Sequence, residues 1–331
     1  MISHEFDVLA IGNAIVDVIA RVNDSFVASE KLVKGSMNLI DEPRAEELYA
    51  HMGPASEHSG GSAGNTAAGV ASFGGKAAYF GKVKNDQLGG IYRHDMRSIG
   101  VTFDSLAAEE GPATARSFIL VTPDGERTMN TYLGACVNLA TADIDAATVQ
   151  KSAVTYMEGY LYDKPEAMGA FREAAKIARA AGRQASITLS DSFCVERHRD
   201  DFLALIRKGI DIVFANEAEI KSLYQTQNFE DALAAIRKDC AVAVLTRSEK
   251  GSVIVRGSEV VEVPAFPVER VVDVTGAGDL FAAGFLFGYT RGMPLQRCGQ
   301  LGSLAAAKVI SQVGPRPDVS LQEEAAKAGL L

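Results

Sequence analysis

Short apolar runs alternate with amphipathic stretches along most of the chain, and the two periods, about 2 and about 3.6, separate expected strands from expected helices. Asp7 to Ile11 is an apolar run closed by Gly12-Asn13, the pattern of a short buried strand. Val16, Val18, Ala20 and Val22 instead alternate with Asp17, Ile19 and Arg21, as in a half-exposed strand. Glu42 to Met52, with Pro43 in its first turn, predicts a helix, and Ser59 to Gly64 is a glycine-rich loop ahead of a small-residue helix, Asn65 to Phe73. A strand from Lys76 to Val83 and a helix from Gln87 to Ile99, stopped by Gly100, complete a first alternation. From Val101 to Tyr132 the helical period disappears, and Phe118 to Val121 and Thr128 to Tyr132 flank the turn Thr122-Pro123-Asp124-Gly125 as the arms of a hairpin.

Further along, strands at Ala153 to Met157, Ala185 to Leu189, Ile210 to Phe214 and Val242 to Thr246 alternate with helices at Pro165 to Ala181, Cys194 to Arg207, Glu217 to Tyr224 and Phe229 to Asp239. Ser252 to Val263 reads as a second hairpin, and Asp279 to Tyr289 and Leu295 to Gln312 as two long helices. Strand and helix in alternation imply an α/β fold with a parallel sheet covered on both faces. The two β-like inserts, about 14–41 and 100–132, each lack a complete core and are most simply one small sheet beside the main one, as a lid over a cleft or as a plain edge extension. At 331 residues the chain suits one large α/β domain with an insert, or two smaller domains.

Hydrophobic residues at 47% and charged residues at 23% allow a sizeable core. Lys plus Arg at 33 against Asp plus Glu at 42 leaves a net charge of −9 with no basic face, which argues against a nucleic-acid partner. Cys136, Cys194, Cys240 and Cys298 are scattered, with no CxxC pair and no Cys/His cluster at metal spacing, as expected in a reducing compartment. No cationic leader with a small-residue cleavage pattern is present, and the longest apolar run, Leu280 to Tyr289, is about half the roughly 20 residues a bilayer span needs. The expectation is a cytoplasmic protein without membrane contact.

The sharpest local feature is Val272-Asp273-Val274-Thr275-Gly276-Ala277-Gly278-Asp279, a strand end that turns through small residues into a helix. The amides of Gly276, Ala277 and Gly278 could hold an anion there, aided by the helix dipole, while Asp279 aligns and deprotonates an attacking hydroxyl. The same residues would serve equally as a helix cap and a tight turn. No GxxxxGK[ST] occurs, and Gly276-x-Gly278 lacks the third glycine of a dinucleotide fingerprint. Gly60-Gly61-Ser62-Ala63-Gly64 matches the GxSxG nucleophile elbow formally, but Met52 to Ser59 before it is polar, where a hydrolase needs an apolar strand. As a backbone-rich loop followed by Asn65, the segment suits a polyhydroxylated ligand. Asp17 could accept sugar hydroxyls or be merely exposed, and Asn216 with Glu219, on one helical face after a strand end, could hold Mg²⁺ through water or be a solvated helix start.

Taken together, Gly60-Gly61-Ser62-Ala63-Gly64-Asn65-Thr66-Ala67 and Asp273 to Asp279, followed by Ala283-Gly284-Phe285-Leu286, resemble the two signatures of the PfkB, or ribokinase-like, kinases. The resemblance spans essentially the whole chain, 1–331, as a single domain. It implies a doubly wound, mostly parallel sheet with helices on both faces, a small β lid, and ATP-dependent phosphorylation of a sugar or nucleoside hydroxyl. Carried over, Asp279 is the general base, Gly276, Ala277 and Gly278 the anion hole, and Asn13, Asp17, Gly60, Gly61 and Asn65 the substrate loop and its neighbours, with Met37 and Phe118 as lid contacts. Asn216 and Glu219 match the family's NxxE element for Mg²⁺ and phosphate, Thr246, Ser248 and Gly251 line the nucleotide site, and Ser303 lies near the adenine. A monovalent cation such as K⁺ beside Asp273 to Thr275 is also implied. Gly12-Asn13-Ala14 with Asp17, and Glu126 to Ala135 with Arg127 approaching the transferring phosphate, are more similar to the adenosine kinase branch than to ribokinases. The expected substrate is a purine nucleoside, adenosine first, with a free sugar such as ribose or fructose as the alternative, and a monomer or homodimer as the assembly. A catalytically silent binding protein of the same fold and the serine hydrolase stand as the readings from other classes.

Overall fold

The computed structural model describes residues 4–331, which form two sheets. In chain order the first half comprises β1 (Phe6–Ile11), β2 (Ile15–Arg21), α1 (Asp24–Ser29), β3 (Met37–Leu39), α2 (Glu42–His51), β4 (Ala55–Ser59), α3 (Ser62–Ser72), β5 (Ala77–Phe80), α4 (Gln87–Ser98), β6 (Val101–Thr102), β7 (Ala115–Val121) and β8 (Arg127–Tyr132). The second half comprises α5 (Ala146–Lys151), β9 (Ser152–Glu158), α6 (Pro165–Ala180), β10 (Gln184–Thr188), α7 (Ser192–Gly209), β11 (Ile212–Asn216), α8 (Glu217–Tyr224), α9 (Phe229–Asp239), β12 (Val242–Thr246), β13 (Ser252–Arg256), β14 (Glu259–Val263), α10 (Ala277–Thr290), α11 (Leu295–Ile310) and α12 (Leu321–Lys327).

The large sheet runs β14-β13-β12-β11-β10-β9-β1-β5-β6, parallel from β12 to β6, with β13 and β14 added antiparallel at one edge. Side chains alternate across it, so successive residues of one strand feed opposite cores. Leu9 and Ile11 face Phe171 of α6, Phe202 of α7 and Leu223 of α8, while Val8 and Ala10 face Val70 of α3, Tyr92 of α4 and Phe285 of α10. This is the doubly wound, ribokinase-like arrangement. The chain leaves β1 toward β5 and β6 on one side and returns through β9 toward β12 on the other, so the strand order reverses between β1 and β9. Ligands of such sheets gather beyond the carboxyl ends of the strands at that reversal.

The smaller sheet runs β3-β8-β7-β2-β4. Its fifth strand lies outside the first insert as bounded in the sequence, and β6, inside the second, belongs to the large sheet. Ala55 to Ser59 shows no apolar alternation because it is an edge strand whose side chains are largely exposed. Cross-strand register sets two rows on one face, Asp17, Ser117, Thr131 and Leu39, then Ile19, Ile119, Met129 and Met37. Val18, Phe118 and Asn130 share the other face, where the Phe118 ring lies 6.0 Å from Tyr49 of α2. Phe118, expected as a lid contact, is fully buried there, on the face opposite Asp17. Met37 does lie on that face and is 54% exposed.

The most apolar helix, α10, is buried from Leu280 to Gly288, and Phe285 meets Phe214 edge-on at 5.5 Å and stacks on Tyr289 at 5.6 Å. Phe285→Ala should lower the free energy of unfolding in urea by about 3–5 kcal/mol with an unchanged m-value, and a loss below about 1 kcal/mol would show that this ring is not part of the core.

Candidate active site

Where β1 and β9 end side by side, Glu158 is buried at 1% exposure and accepts from three donors. Asn13 Nδ2 donates to its Oε1 at 2.7 Å, and the backbone N–H groups of Ala63 (2.8 Å) and Asn13 (3.3 Å) donate to Oε2. Burial raises its pKa to about 7 against the pull of those donors. Asn13 Oδ1 in turn accepts from the Cys136 thiol at 3.0 Å, so both ends of the amide are fixed. The sequence reading named Asn13 but missed Glu158; a lone carboxylate at the end of a parallel strand next to the reversal was the available signal.

Gly60 and Gly61 pass directly beneath β2. A Cβ at Gly60 would fall 2.4 Å from Asp17 Oδ2, and Gly61, at φ +84°, would drive one to 2.0 Å from Asn13 O. Only glycine permits that crossing, and it is where α3 starts, three residues before the expected helix. Asn65 and Ser62 therefore sit in its first turn, both aimed at Asp279. Ser62 Oγ donates to Asp279 Oδ1 at 2.6 Å, Asn65 Nδ2 donates to Oδ2 at 3.0 Å, and Thr66 Oγ1 donates to the Asp279 carbonyl at 3.2 Å. Ser62 thus donates to a carboxylate, where a hydrolase nucleophile would donate to a histidine. Burial raises the Asp279 pKa, with Ser62, Asn65 and Arg316 pulling it back. Asp17 is pushed up to about 6, first by burial, with Arg316 and Arg127 opposing.

Gly276 caps α10 at φ +78°, folded against Pro315. The Ala277 amide closes the turn onto Val274 O at 3.2 Å, so of the three amides assigned to an anion it is already engaged, whereas those of Gly276 and Gly278 find no protein acceptor among the described residues. Arg127, entering from β8, donates Nη1 to Asp273 Oδ2 and, at 2.9 Å, to Thr275 Oγ1, while its Nε and Nη2 are buried without a partner. Burial works against the Asp273 carboxylate, but the Gly314 and Thr275 donors and Arg127 hold its pKa below the usual range.

Asn216 and Glu219 form a capping box: Asn216 Oδ1 accepts from the Glu219 amide at 2.9 Å, and Glu219 accepts from Asn216 N and Nδ2. Glu219 is nearly buried, and burial raises its pKa to about 7. A cavity of about 970 Å³ brings Asn216, Thr246 and Ser248 together with Lys221, Gln225 and Arg247. Gly251 shapes the turn below it, where a Cβ would meet Val263 O at 2.0 Å. The Ser303 hydroxyl donates to Pro264 O at 3.1 Å and accepts from Phe266 N at 2.7 Å, pinning the segment after β14.

A turn with unpaired amides, a desolvated carboxylate at the helix start and a glycine loop at the strand reversal are the parts of a phosphotransferase. The pfkB family carbohydrate kinase model matches residues 7–321. The chain belongs to the pfkB family of carbohydrate kinases. The crystal structure of adenosine kinase from Sinorhizobium meliloti is 60% identical, with TM-score 0.90, covering 98% of this chain and 99% of that one. A structure described as a probable sugar kinase protein from Rhizobium etli CFN 42 is 58% identical, with TM-score 0.91, covering 99% and 100%. Adenosine kinase of Saccharomyces cerevisiae is 27% identical over 93% of this chain and 95% of its own length. The pfkB kinase is therefore a phosphotransferase that acts on a nucleoside or sugar, and its family implies ATP and Mg²⁺.

The residues fit both. The Gly276 and Gly278 amides and two Arg127 nitrogens are donors with no protein acceptor among the described residues, the chemistry a phosphate needs. Among the described residues no three His, Cys, Asp or Glu side chains form a metal cage. Mg²⁺ that arrives on a triphosphate needs only one or two carboxylates and water, and Glu219, bonded behind the cavity-lining Asn216, is the one carboxylate the pair would offer.

Glu158 generates a pH prediction. Its folded pKa lies above its unfolded value, so the folded state binds more protons between about pH 4.5 and 7, and its contribution to stability falls as pH rises through that window. Glu158→Gln sets an NH₂ against N–H donors and should cost about 1–3 kcal/mol at pH 5. It should also flatten the decline in melting temperature from pH 5 to pH 7.5, and an unchanged slope would show that Glu158 ionises freely.

Proposed function

We propose that the protein transfers the γ-phosphate of ATP to the 5′-hydroxyl of a purine nucleoside, adenosine first. One observation carries the choice over a free sugar: the face of the smaller sheet that holds Asp17 and Ser117 continues into an apolar strip of Ile19, Met37, Met129 and Leu39, with Leu39 63% exposed. A nucleoside has hydroxyls for Asp17, Asn13 and Asn65 and an aromatic base for that strip, where thioethers pack well on rings. A free sugar would leave the strip wet. The high identity to one adenosine kinase supports the reading.

In this reading the smaller sheet acts as the lid that shields the reaction from water. Asp279, half-buried and held by Ser62 and Asn65, aligns the 5′-hydroxyl and takes its proton as the oxygen attacks. The Gly276 and Gly278 amides and the dipole of α10 hold the charge on the migrating phosphoryl group. Arg127, bonded to the turn through Asp273, brings its guanidinium charge toward the phosphate oxygens. Asn216, Glu219, Thr246 and Ser248 flank the triphosphate, and Mg²⁺ there would neutralise its charge. A monovalent cation such as K⁺ beside the Asp273 to Thr275 turn belongs to the same reading, and exchanging it for tetramethylammonium should lower kcat.

ADP release measured with Mg-ATP and adenosine, guanosine, inosine, ribose or fructose tests the proposal. Turnover on adenosine should exceed that on either free sugar, and Asp279→Asn should lower kcat by roughly 10²- to 10⁴-fold with nucleoside binding retained. Turnover confined to a free sugar would overturn the nucleoside reading, and a near-wild-type rate in the variant would remove Asp279 from the mechanism.

A further inference from the structure

Arg316 belongs to neither signature motif, yet it joins the two halves of the site. The three consecutive residues Gly314, Pro315 and Arg316 follow α11 and touch three different parts of it. Gly314 N donates to Asp273 Oδ2 at 2.9 Å, Pro315 O packs on Gly276, and Arg316 Nε donates to Asn65 Oδ1 at 3.1 Å. Arg316 Nη1 also donates to Ser59 Oγ at 2.7 Å and lies 3.7 Å from Asp95 Oδ2, which accepts from the Ser59 backbone at 2.7 Å. Gln312 Nε2 holds the Arg316 carbonyl at 2.8 Å, so the side chain springs from a fixed point.

We propose that Arg316 is a positioning residue, which locks the Asn65 amide so that its NH₂ faces Asp279 and fixes the glycine loop through Ser59. The inference rests on the kinase reading above. The reason is geometric. Were the Asn65 amide reversed, its NH₂ would face a guanidinium and its oxygen a carboxylate, two repulsive contacts in place of two hydrogen bonds. A planar fork with separate nitrogens reaches Asn65 and Ser59 together, whereas an ammonium is a point donor at the end of a flexible stem.

Charge follows the same path. The titratable groups interacting with Asp279 are Asp17 from β2, Tyr156 and Glu158 from β9, Tyr160 just beyond it, and Glu219 from α8, with Arg316 the cation acting on it directly. Arg316 and Arg127 together act on Asp17. Removing the Arg316 charge favours the protonated carboxyls, so the acid limb of the pH–rate profile moves to higher pH.

The test is kcat, KM and the pH dependence of kcat from pH 5 to 9 for the wild type, Arg316→Met and Arg316→Lys with adenosine and Mg-ATP, alongside melting temperatures. Arg316→Met should lower kcat roughly 10- to 100-fold and move the acid limb up by about one pH unit. Arg316→Lys should return the limb to its wild-type position while kcat stays depressed. If the Met variant does not fold, Arg316→Gln, which keeps a donor without the charge, should show the shifted limb. An active wild type whose folded variants keep its kcat and its acid limb overturns the inference alone, and so does a depressed kcat with an unmoved limb in every folded uncharged variant. A wild type inert on every nucleoside and sugar overturns the kinase reading and this inference together.

Discussion

Four carboxyl groups, the buried Asp17, Glu158 and Glu219 and the half-buried Asp279, are drawn from four separate elements near the carboxyl edge of one sheet, and burial raises the pKa of each. Withdrawing a carboxylate from water costs several kcal/mol unless fixed donors replace the solvent. The surrounding structure supplies them. Ala63 and Asn13 serve Glu158, Asn216 serves Glu219, and Ser62 and Asn65 serve Asp279. Asp17 lies against Gly60 under the influence of Arg316 and Arg127, free to accept from a ligand. The donors are pre-aimed, so an incoming hydroxyl meets acceptors that need little reorganisation.

Delivering those donors demands two tight crossings. Gly61 starts α3 where its backbone passes over Asn13, and Gly276 starts α10 where it passes Pro315. The two helix starts face each other because α3 and α10 pack along the same side of the large sheet, with Ala67 and Val70 in one apolar cluster with Ala283 and Phe285. Positive helix ends then converge on one spot, one carrying Ser62 and Asn65 and the other Asp279 and the unpaired amides. A single geometry therefore places an acceptor for a proton beside donors for an anion.

The sequence was most legible where one period ran undisturbed. Glu217 to Tyr224, Phe229 to Asp239 and Val242 to Thr246 were read with their observed bounds, because each is a clean amphipathic helix or buried strand. The smaller sheet was harder, since β4 is a polar edge strand and α1 spans only Asp24–Ser29. Alternation reveals two faces and does not say which one meets the ligand, and Phe118, expected as a lid contact, lies buried on the face opposite Asp17. The bonds of the Ser303 hydroxyl to Pro264 and Phe266, 39 and 37 positions away, have no local signal either. Among the site residues, the glycine loop, Asp279 and Arg127 stand in recognisable motifs, but Glu158 and Arg316 do not. Their roles arise from contacts across 145 and 251 positions of the chain, which no local pattern encodes.

A crystal structure with adenosine and a non-hydrolysable ATP analogue tests the central claim most directly. The account predicts the 5′-hydroxyl within hydrogen-bonding distance of the Asp279 carboxylate, the base against Met37 and Leu39, and the terminal phosphate on the Gly276 and Gly278 amides. A nucleoside bound with that hydroxyl turned away from Asp279, or a phosphate chain that never reaches those amides, would contradict it.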